Sequence, residues 1–292
     1  MMELALERLE ALAAAVSEGT FEAASRKLHV TPSAISQRVK ALEVTTGRVL
    51  LVRAKPVRPT VSGAALLRAA RQIEAVTSEA LRELRGSSSG DATVISLAVN
   101  ADSLSTWLLP ALAAAGAGYI FDLRREDQER TTVLLREGVV MAAVTASASA
   151  VPGCTVTSLG RMRYRPRASA DFAARWFPNG ASASNFAQAP VVVYDREDRL
   201  QDTYLRRRSR RRLDPPRHYV PGSEAFIEAV RLGLGWGMVP DLQTSPHDAA
   251  LVELDAGGAT DVKLYWQQWR LLSAALEHIA KTVRDAAVKA LR

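Results

Sequence analysis

The sequence predicts a mixed α/β protein of 292 residues: a winged helix-turn-helix at the N-terminus, one long linker helix, then a C-terminal α/β region of two lobes. Three observations predict it. The first 60 residues carry helical apolar spacing punctuated by cap signals. From Ala92 onward, strand-like and helix-like runs alternate, the pattern of parallel α/β units. The charge is local: residues 26–58 hold eight cations (Arg26, Lys27, Arg38, Lys40, Arg48, Arg53, Lys55, Arg58) against the single acid Glu43, a net +7 equal to the formal charge of the whole chain. A basic patch on an otherwise balanced chain is the electrostatic footprint of a polyanion partner; a solvated charged surface is the plain alternative.

In chain order, Leu4, Leu6, Leu9, Leu12 and Val16 make a first amphipathic helix that Gly19 ends. Thr20 opens a second, where Ala23 and Ala24 permit close approach of another helix. After the turn at His29-Val30, Thr31 reads as an N-cap and Pro32 as the first helical residue. From Pro32 to about Val44, Ile35, Val39 and Leu42 form the apolar stripe, with Ser33, Ser36, Gln37 and Lys40 opposite. Short hydrogen-bonding side chains and a cation suit base edges and phosphates in a major groove. Arg48 to Arg53 reads as a strand, and the basic loop to Pro59 as a wing able to meet the flanking backbone or minor groove.

Thr60 caps a helix running to about Leu84, a rod of roughly 35 Å at 1.5 Å per residue. Its apolar positions, among them Leu66, Leu67, Ile73, Val76 and Leu81, need a partner surface. Gly86-Ser-Ser-Ser-Gly90 reads as a hinge. Strands are expected at 94–99, 120–123, 139–144, 191–194 and 236–239, and helices at 104–115, 131–137 and 224–231. Two such lobes would place a ligand outside the strand C-termini.

Composition narrows the class. With 48% hydrophobic and 24% charged residues the chain is neither disordered, collagen-like nor a membrane bundle. No run approaches about 18 apolar residues, and Met-Met-Glu-Leu lacks the basic start of a secretory leader. The single Cys154 excludes an internal disulfide and a multi-cysteine zinc site. A cytoplasmic protein with no membrane partner is expected. The four histidines show no ligand spacing, and Walker, dinucleotide and serine-nucleophile signatures are absent, so no cofactor, metal or enzymatic activity is expected.

The stretch Ala23-Ala-Ser-Arg-Lys-Leu-His-Val-Thr-Pro-Ser-Ala-Ile-Ser-Gln-Arg-Val-Lys-Ala-Leu-Glu43, with Gly47, Leu50-Leu-Val-Arg53 and Pro59-Thr-Val-Ser-Gly63, resembles the DNA-binding module of LysR-type transcriptional regulators over about residues 3–85. By that resemblance Thr31, Pro32, Ser33, Ser36, Gln37, Arg38 and Lys40 meet promoter DNA, Arg53 and Arg58 touch its backbone, and the long helix dimerises. The motif Leu97-Ala-Val-Asn-Ala-Asp-Ser-Leu-Ser-Thr-Trp-Leu-Leu-Pro110 resembles the branch that responds to basic amino acids and controls lysine or arginine export. Glu126-Asp127, Gly160, Phe177-Pro-Asn-Gly180, Ser223-Glu-Ala-Phe226, Gly233 to Pro240 and Leu264-Tyr-Trp-Gln267 point the same way.

The resemblance implies a DNA-binding domain over 1–59, a linker helix over 60–85, a hinge at 86–91, and a periplasmic-binding-protein-like effector domain. Its lobe I spans 92–160 completed by 267–292, and its lobe II spans 161–266. A homodimer or homotetramer follows, and the resemblance admits RNA polymerase as a further partner. The chemistry agrees with a cationic amino acid. Asn100 to Ser103 sit at a strand end just before a helix, where free N–H groups with Ser103 suit an α-carboxylate, while Asp102, Glu126, Asp127 and Glu224 offer carboxylates to a side-chain cation. Ser223 opens a lobe II helix and Thr145 adds a hydroxyl. A lone acid at a helix start is often only a cap. An organic-acid effector, or a two-lobed enzyme or binding protein with an incidental basic N-terminus, are the competing readings. The Arg206 to Arg212 run reads as a solvated face, and the alternating Arg161, Arg163, Arg165 and Arg167 as one face of an edge strand.

Overall fold

The computed structural model describes residues 5–85, 92–126, 128–244 and 250–292. The predicted hinge and Asp127 therefore lie outside the described residues. The chain divides into two compact units: Met1–Ala98, Gly116–Val156 and Gln267–Ile279 form the first; Val99–Ala115, Thr157–Trp266 and Ala280–Arg292 the second.

The first unit begins with α1 (Leu6–Glu18), α2 (Phe21–Lys27) and α3 (Pro32–Thr46). Each boundary has a local cause. Gly19 and Gly47 end α1 and α3 in the left-handed conformation. Thr20 Oγ1 accepts from Ala23 N at 3.0 Å, and Thr31 Oγ1 from Ala34 N at 3.2 Å with Pro32 opening α3. Leu9, Leu12, Ala15, Ala24, Ile35, Val39, Leu42 and Leu50 pack into one core. The wing is shorter than expected. Only Leu51–Val52 (β1) and Arg58–Pro59 (β2) pair, because the backbone of Leu50 is satisfied elsewhere: its N–H donates to Glu43 Oε1 at 2.8 Å and its carbonyl accepts from Thr60 N at 2.9 Å.

The long helix α4 (Val61–Arg85) buries Leu67 and Ala70 near its start and leaves Ile73, Val76, Leu81 and Leu84 exposed. Within the same unit it is bound at several points. Arg68 Nη1 donates to Pro152 O at 3.1 Å, and Glu79 Oε1 accepts from Ala274 N at 2.8 Å. Arg71 donates to Ser17 Oγ at 2.9 Å and to Gly138 O. Gly138, at φ 71°, lets the backbones touch: a Cβ there would stand 2.7 Å from Arg68 Cα. Beside this helix, β3 (Thr93–Val99) lies between β4 (Tyr119–Arg125) and β5 (Ala142–Thr145), with α7 (Gln128–Arg136) against them. Leu135, Val140, Ala143, Val151, Cys154 and Trp269 form their core.

In the second unit the segment after β3 turns helical at once. It comprises α5 (Ala101–Ser103), a π turn (Leu104–Leu108) and α6 (Leu109–Ala113). Helix thus begins three residues before the expected 104, which places Asp102 and Ser103 in its first turn. The long strand β6 (Cys154–Ser169) is followed by α8 (Ala170–Trp176), α9 (Ala183–Gln188), β7 (Val191–Val193), α10 (Leu200–Arg208) and β8 (Arg217–Tyr219). Then come α11 (Ser223–Arg231), β9 (Gly237–Pro240), β10 (Leu251–Glu253), β11 (Thr260–Trp269), whose last three residues count with the first unit, and the closing helix α12 (Ala274–Ala290), which counts with the first unit as far as Ile279 and with the second from Ala280. β7 and β8 are parallel. Phe186, Tyr204 and Trp236 stack edge to face at their centre, with ring centroids 4.9 to 5.7 Å apart.

The edge-strand expectation for Arg161 to Arg167 is overturned. β6 is interior: Arg167 faces Glu253 of β10 on one side and Gly237 of β9 on the other. Cations tolerate that position because acids from neighbouring segments meet them. Arg163 makes a bidentate pair with Asp261 at 2.7 and 2.8 Å, Arg165 reaches Glu253 at 2.7 Å and Asp241 at 3.0 Å, and Arg167 reaches Asp241 at 3.1 Å. Met162, Tyr164 and Ala168 point to the buried side. Among the described residues, no helix is long and apolar enough to cross a membrane.

Candidate functional site

The first candidate is the exposed side of α3. Its apolar stripe is spent on the core, since Ile35, Val39 and Leu42 are buried. What remains outside is polar over its first turns, with Val44 exposed near its end. Thr31, Pro32, Ser33, Gln37 and Lys40 are exposed and Ser36 is half-buried. Thr31 Oγ1 and Ser33 Oγ lie 2.9 Å apart, so the cap also orients Ser33. Arg38 is already engaged, with its guanidinium 3.0 Å from Glu7 of α1. Arg53 and Arg58 are exposed on the two wing strands' flanks, and Arg53 lies over the Phe21 ring at 5.9 Å. The net result is a helix whose outward face starts as a row of hydroxyls, an amide and a cation, with further exposed cations on the wing. Glu43, the acid in the basic window, is directed to Leu50 N.

The second candidate lies in the second unit. Asp102 is its centre: Tyr164 donates to Oδ2 at 2.7 Å and Ser223 Oγ to Oδ1 at 2.9 Å. Burial pushes the Asp102 carboxyl above its ordinary pKa, while the two hydroxyl donors pull it down. Tyr164 is held far above the usual phenol value, by burial first and by the neighbouring Asp102 charge second. Asn100 Oδ1 and Ser103 Oγ are buried without a hydrogen-bond partner. Glu224 lines a cleft of about 570 Å³ with Ser105, Ile227, Glu228, Leu242 and Gln243.

Of the eight residues expected to meet a ligand, Asn100, Asp102, Ser103, Ser223 and Glu224 fall in this unit. Glu126 and Thr145 belong to the first unit, where Thr145 is fully buried and its Oγ1 accepts from Ser147 N at 3.2 Å. Tyr164 was not foreseen. Its one sequence signal is its place among the apolar partners that alternate with the arginines of β6.

Two other features differ in kind from a site. Every arginine of the Arg206 to Arg212 run is exposed, in keeping with a solvated face, and three also make bonds: Arg206 donates to Asp202 O, Arg207 to Thr260 Oγ1 and Ala259 O, and Arg208 to Ala181 O and Asp255. Cys154 is buried and burial raises its thiol pKa, which disfavours the reactive thiolate. No group of three or more potential metal ligands occurs among the described residues.

Comparison with known proteins adds the following. A family model described as bacterial regulatory helix-turn-helix protein, lysR family, matches residues 6–64, and one described as LysR substrate binding domain matches residues 88–288. The lysine export transcriptional regulatory protein LysG of Corynebacterium efficiens is 42% identical over 293 residues, covering 97% of this chain and 98% of that protein. The crystal structure of ArgP from Mycobacterium tuberculosis superposes with a TM-score of 0.92 at 46% identity, covering 99% of both chains. Full-length LysG from Corynebacterium glutamicum with bound effector Arg superposes with a TM-score of 0.82 at 37% identity, covering 99% of this chain and 100% of that one.

Proposed function

Because this chain belongs to the lysR family of bacterial regulatory helix-turn-helix proteins, we propose that it is a cytoplasmic, self-associating transcriptional regulator whose effector is lysine or arginine and whose target is an amino-acid exporter gene. The observation that carries the DNA-binding part is the division of α3 into a buried apolar stripe and an exposed polar face. On this reading Thr31, Pro32, Ser33, Ser36, Gln37, Arg38 and Lys40 face the groove and Arg53 and Arg58 the backbone. Asn100, Asp102, Ser103, Glu126, Asp127, Thr145, Ser223 and Glu224 serve the effector. The division into 1–59, 60–85, 86–91, 92–160 with 267–292, and 161–266 belongs to the same reading. The basic-amino-acid class is supported by the relatives' names and by the carboxylates of the second unit.

The test is operator affinity measured against salt. Phosphate contacts make log K fall with log salt by about 0.9 per contact, so Lys40→Ala lowers affinity across sequences and shallows the slope by about 0.9. A slope identical to that of the unmodified chain removes Lys40 from the interface. Calorimetry with lysine, arginine and histidine tests the effector separately; no heat with any of them removes the basic-amino-acid assignment and leaves DNA binding standing.

Self-association follows from α4. Ile73, Val76, Leu81 and Leu84 leave apolar area in water that a second copy would cover. Ile73→Glu combined with Val76→Glu shifts the chain toward monomer in sedimentation, weakening association at least about tenfold at roughly 1.5 kcal/mol or more per buried aliphatic side chain. An unchanged sedimentation profile would place the interface elsewhere.

A further inference from the structure

We propose that Glu7 is a specificity-determining residue of the reading head: it holds Arg38 away from phosphate and so restrains binding to duplexes that lack the operator sequence. The proposal rests on the DNA-binding reading above and narrows the part that Arg38 plays in it.

Three observations carry it. First, the two side chains are paired across helices. Arg38 Nη2 of α3 lies 3.0 Å from Glu7 Oε2 of α1. The guanidinium is the more covered partner, with 29% of its side chain exposed against 72% for the carboxylate. A second tie keeps α1 beside α3, since Arg8 Nη1 donates to Thr45 Oγ1 at 3.3 Å. Glu7 therefore has a fixed base from which to hold the arginine.

Second, the rotation of α3 sets Arg38 apart from the residues that face outward. At 3.6 residues per turn, the exposed Ser33, Gln37 and Lys40 fall within about 60° of one another. Arg38, half-buried, falls about 100° from Gln37 and about 40° from the buried Leu42. It is a cation on the rim of the reading face, on the side of α1. A guanidinium placed there suits a phosphate of the flanking backbone rather than a base edge.

Third, the fold brings acid to the basic window. Residues 26–58 hold eight cations and one acid, Glu43, whose carboxylate is taken by Leu50 N. Two acids of α1 then reach in from outside the window: Glu7 to Arg38, and Glu18 to Lys27 at 3.1 Å. Of these two cations, Arg38 is the one on the reading helix.

A carboxylate and a phosphate compete for the same guanidinium, because both present oxygens that match its fork. With Glu7 in place, Arg38 adds little to sequence-independent attraction, and the Glu7 charge itself repels the phosphate backbone. Without Glu7, Arg38 becomes a further phosphate contact. The gain differs between duplexes. Base contacts fix the register of the operator complex, whereas a complex that makes none shifts until the freed cation meets a phosphate. Glu7 thus widens the gap between operator and other DNA by lowering affinity for the latter.

The experiment measures affinity of the full chain, against salt, for two duplexes: one selected by the unmodified chain from a random pool, and a scrambled duplex of the same composition. Glu7→Gln is expected to raise affinity for the scrambled duplex about three- to tenfold and to steepen its salt slope by about 0.9, one phosphate contact. Affinity for the selected duplex changes by less than about twofold, so discrimination falls. In an Arg38→Met background, which keeps the aliphatic stem, Glu7→Gln gives no gain. Glu10→Gln removes another exposed acid of α1 and controls for charge alone, with a clearly smaller effect. Urea unfolding confirms that each variant is folded; should Glu7→Gln fail that check, Glu7→Ala carries the same test. An unchanged affinity for the scrambled duplex, an equal gain from Glu10→Gln, or a gain that survives Arg38→Met overturns the proposal. So does a gain on the selected duplex as large as on the scrambled one. If the pool yields no duplex that the unmodified chain prefers, the DNA-binding reading itself falls and this assignment with it.

Discussion

Gly63→Ala destabilises the N-terminal module by roughly 3 kcal/mol, the upper range for a clash in a packed site, and weakens operator binding about tenfold or more. Helix propensity alone argues the opposite, because alanine is favoured over glycine in a helix by about 1 kcal/mol. The contacts decide the sign. A Cβ at Gly63 would stand 1.9 Å from the Leu50 carbonyl oxygen and 2.8 Å from its carbon. That carbonyl cannot swing aside freely, since it accepts from Thr60 N at 2.9 Å. Nor can the glycine retreat, because its own N–H donates to Thr60 Oγ1 at 3.0 Å and that hydroxyl donates to Val49 O at 2.7 Å. The start of α4 and the start of the wing are therefore stitched through Thr60, and a displaced wing carries Arg53 and Arg58 with it. Urea unfolding and operator titration check both effects; a variant as stable as the original refutes the steric argument.

Arg71→Ala uncouples effector from DNA. Effector and operator affinities in such regulators are linked by a coupling factor of about 5 to 150-fold, and the variant brings it toward unity. Arg71 is the side chain that touches both α1, through Ser17 Oγ, and the turn after α7, through Gly138 O. Burial lowers its guanidinium pKa, and the loss of its two bonds leaves the buried Gly138 carbonyl without this donor, while exposed Ser17 turns to water. The measurement is operator affinity with and without arginine. Arg71→Lys keeps the charge but loses the fork and recovers only part of the coupling. Gly138→Ala tests the same joint independently, by its positive φ and its 2.7 Å approach to Arg68 Cα. Full coupling in both Arg71→Ala and Gly138→Ala would show that the signal does not pass through this joint.

The DNA-reading module was legible because its determinants are local. Thr20, Gly19, Thr31-Pro32 and the stripe Ile35, Val39, Leu42 each act within about one or two helical turns, and each behaves in the fold as its spacing implies. The acids expected to meet a ligand were legible as types and positions but not as partners. Asp102 meets Tyr164 across 62 residues and Ser223 across 121, separations at which no periodicity speaks. The β6 arginines were misjudged for the same reason: alternation shows one face, while Asp261, 98 residues from Arg163, is what allows that face to be charged inside a sheet.

By itself, then, the order of residues determined the parts list: a capped reading helix, a basic wing, a long rod with apolar positions, and alternating strands and helices bearing acids at their ends. Those follow from backbone propensity and solvent exposure, which act over a few neighbours. Only the tertiary structure decided that Glu43 serves Leu50, that Gly63 must lack a side chain, that Arg71 joins two segments and that Asp102 is held by two hydroxyls. Such facts depend on which distant groups come within about 3 Å of each other, where hydrogen bonds and steric contacts act.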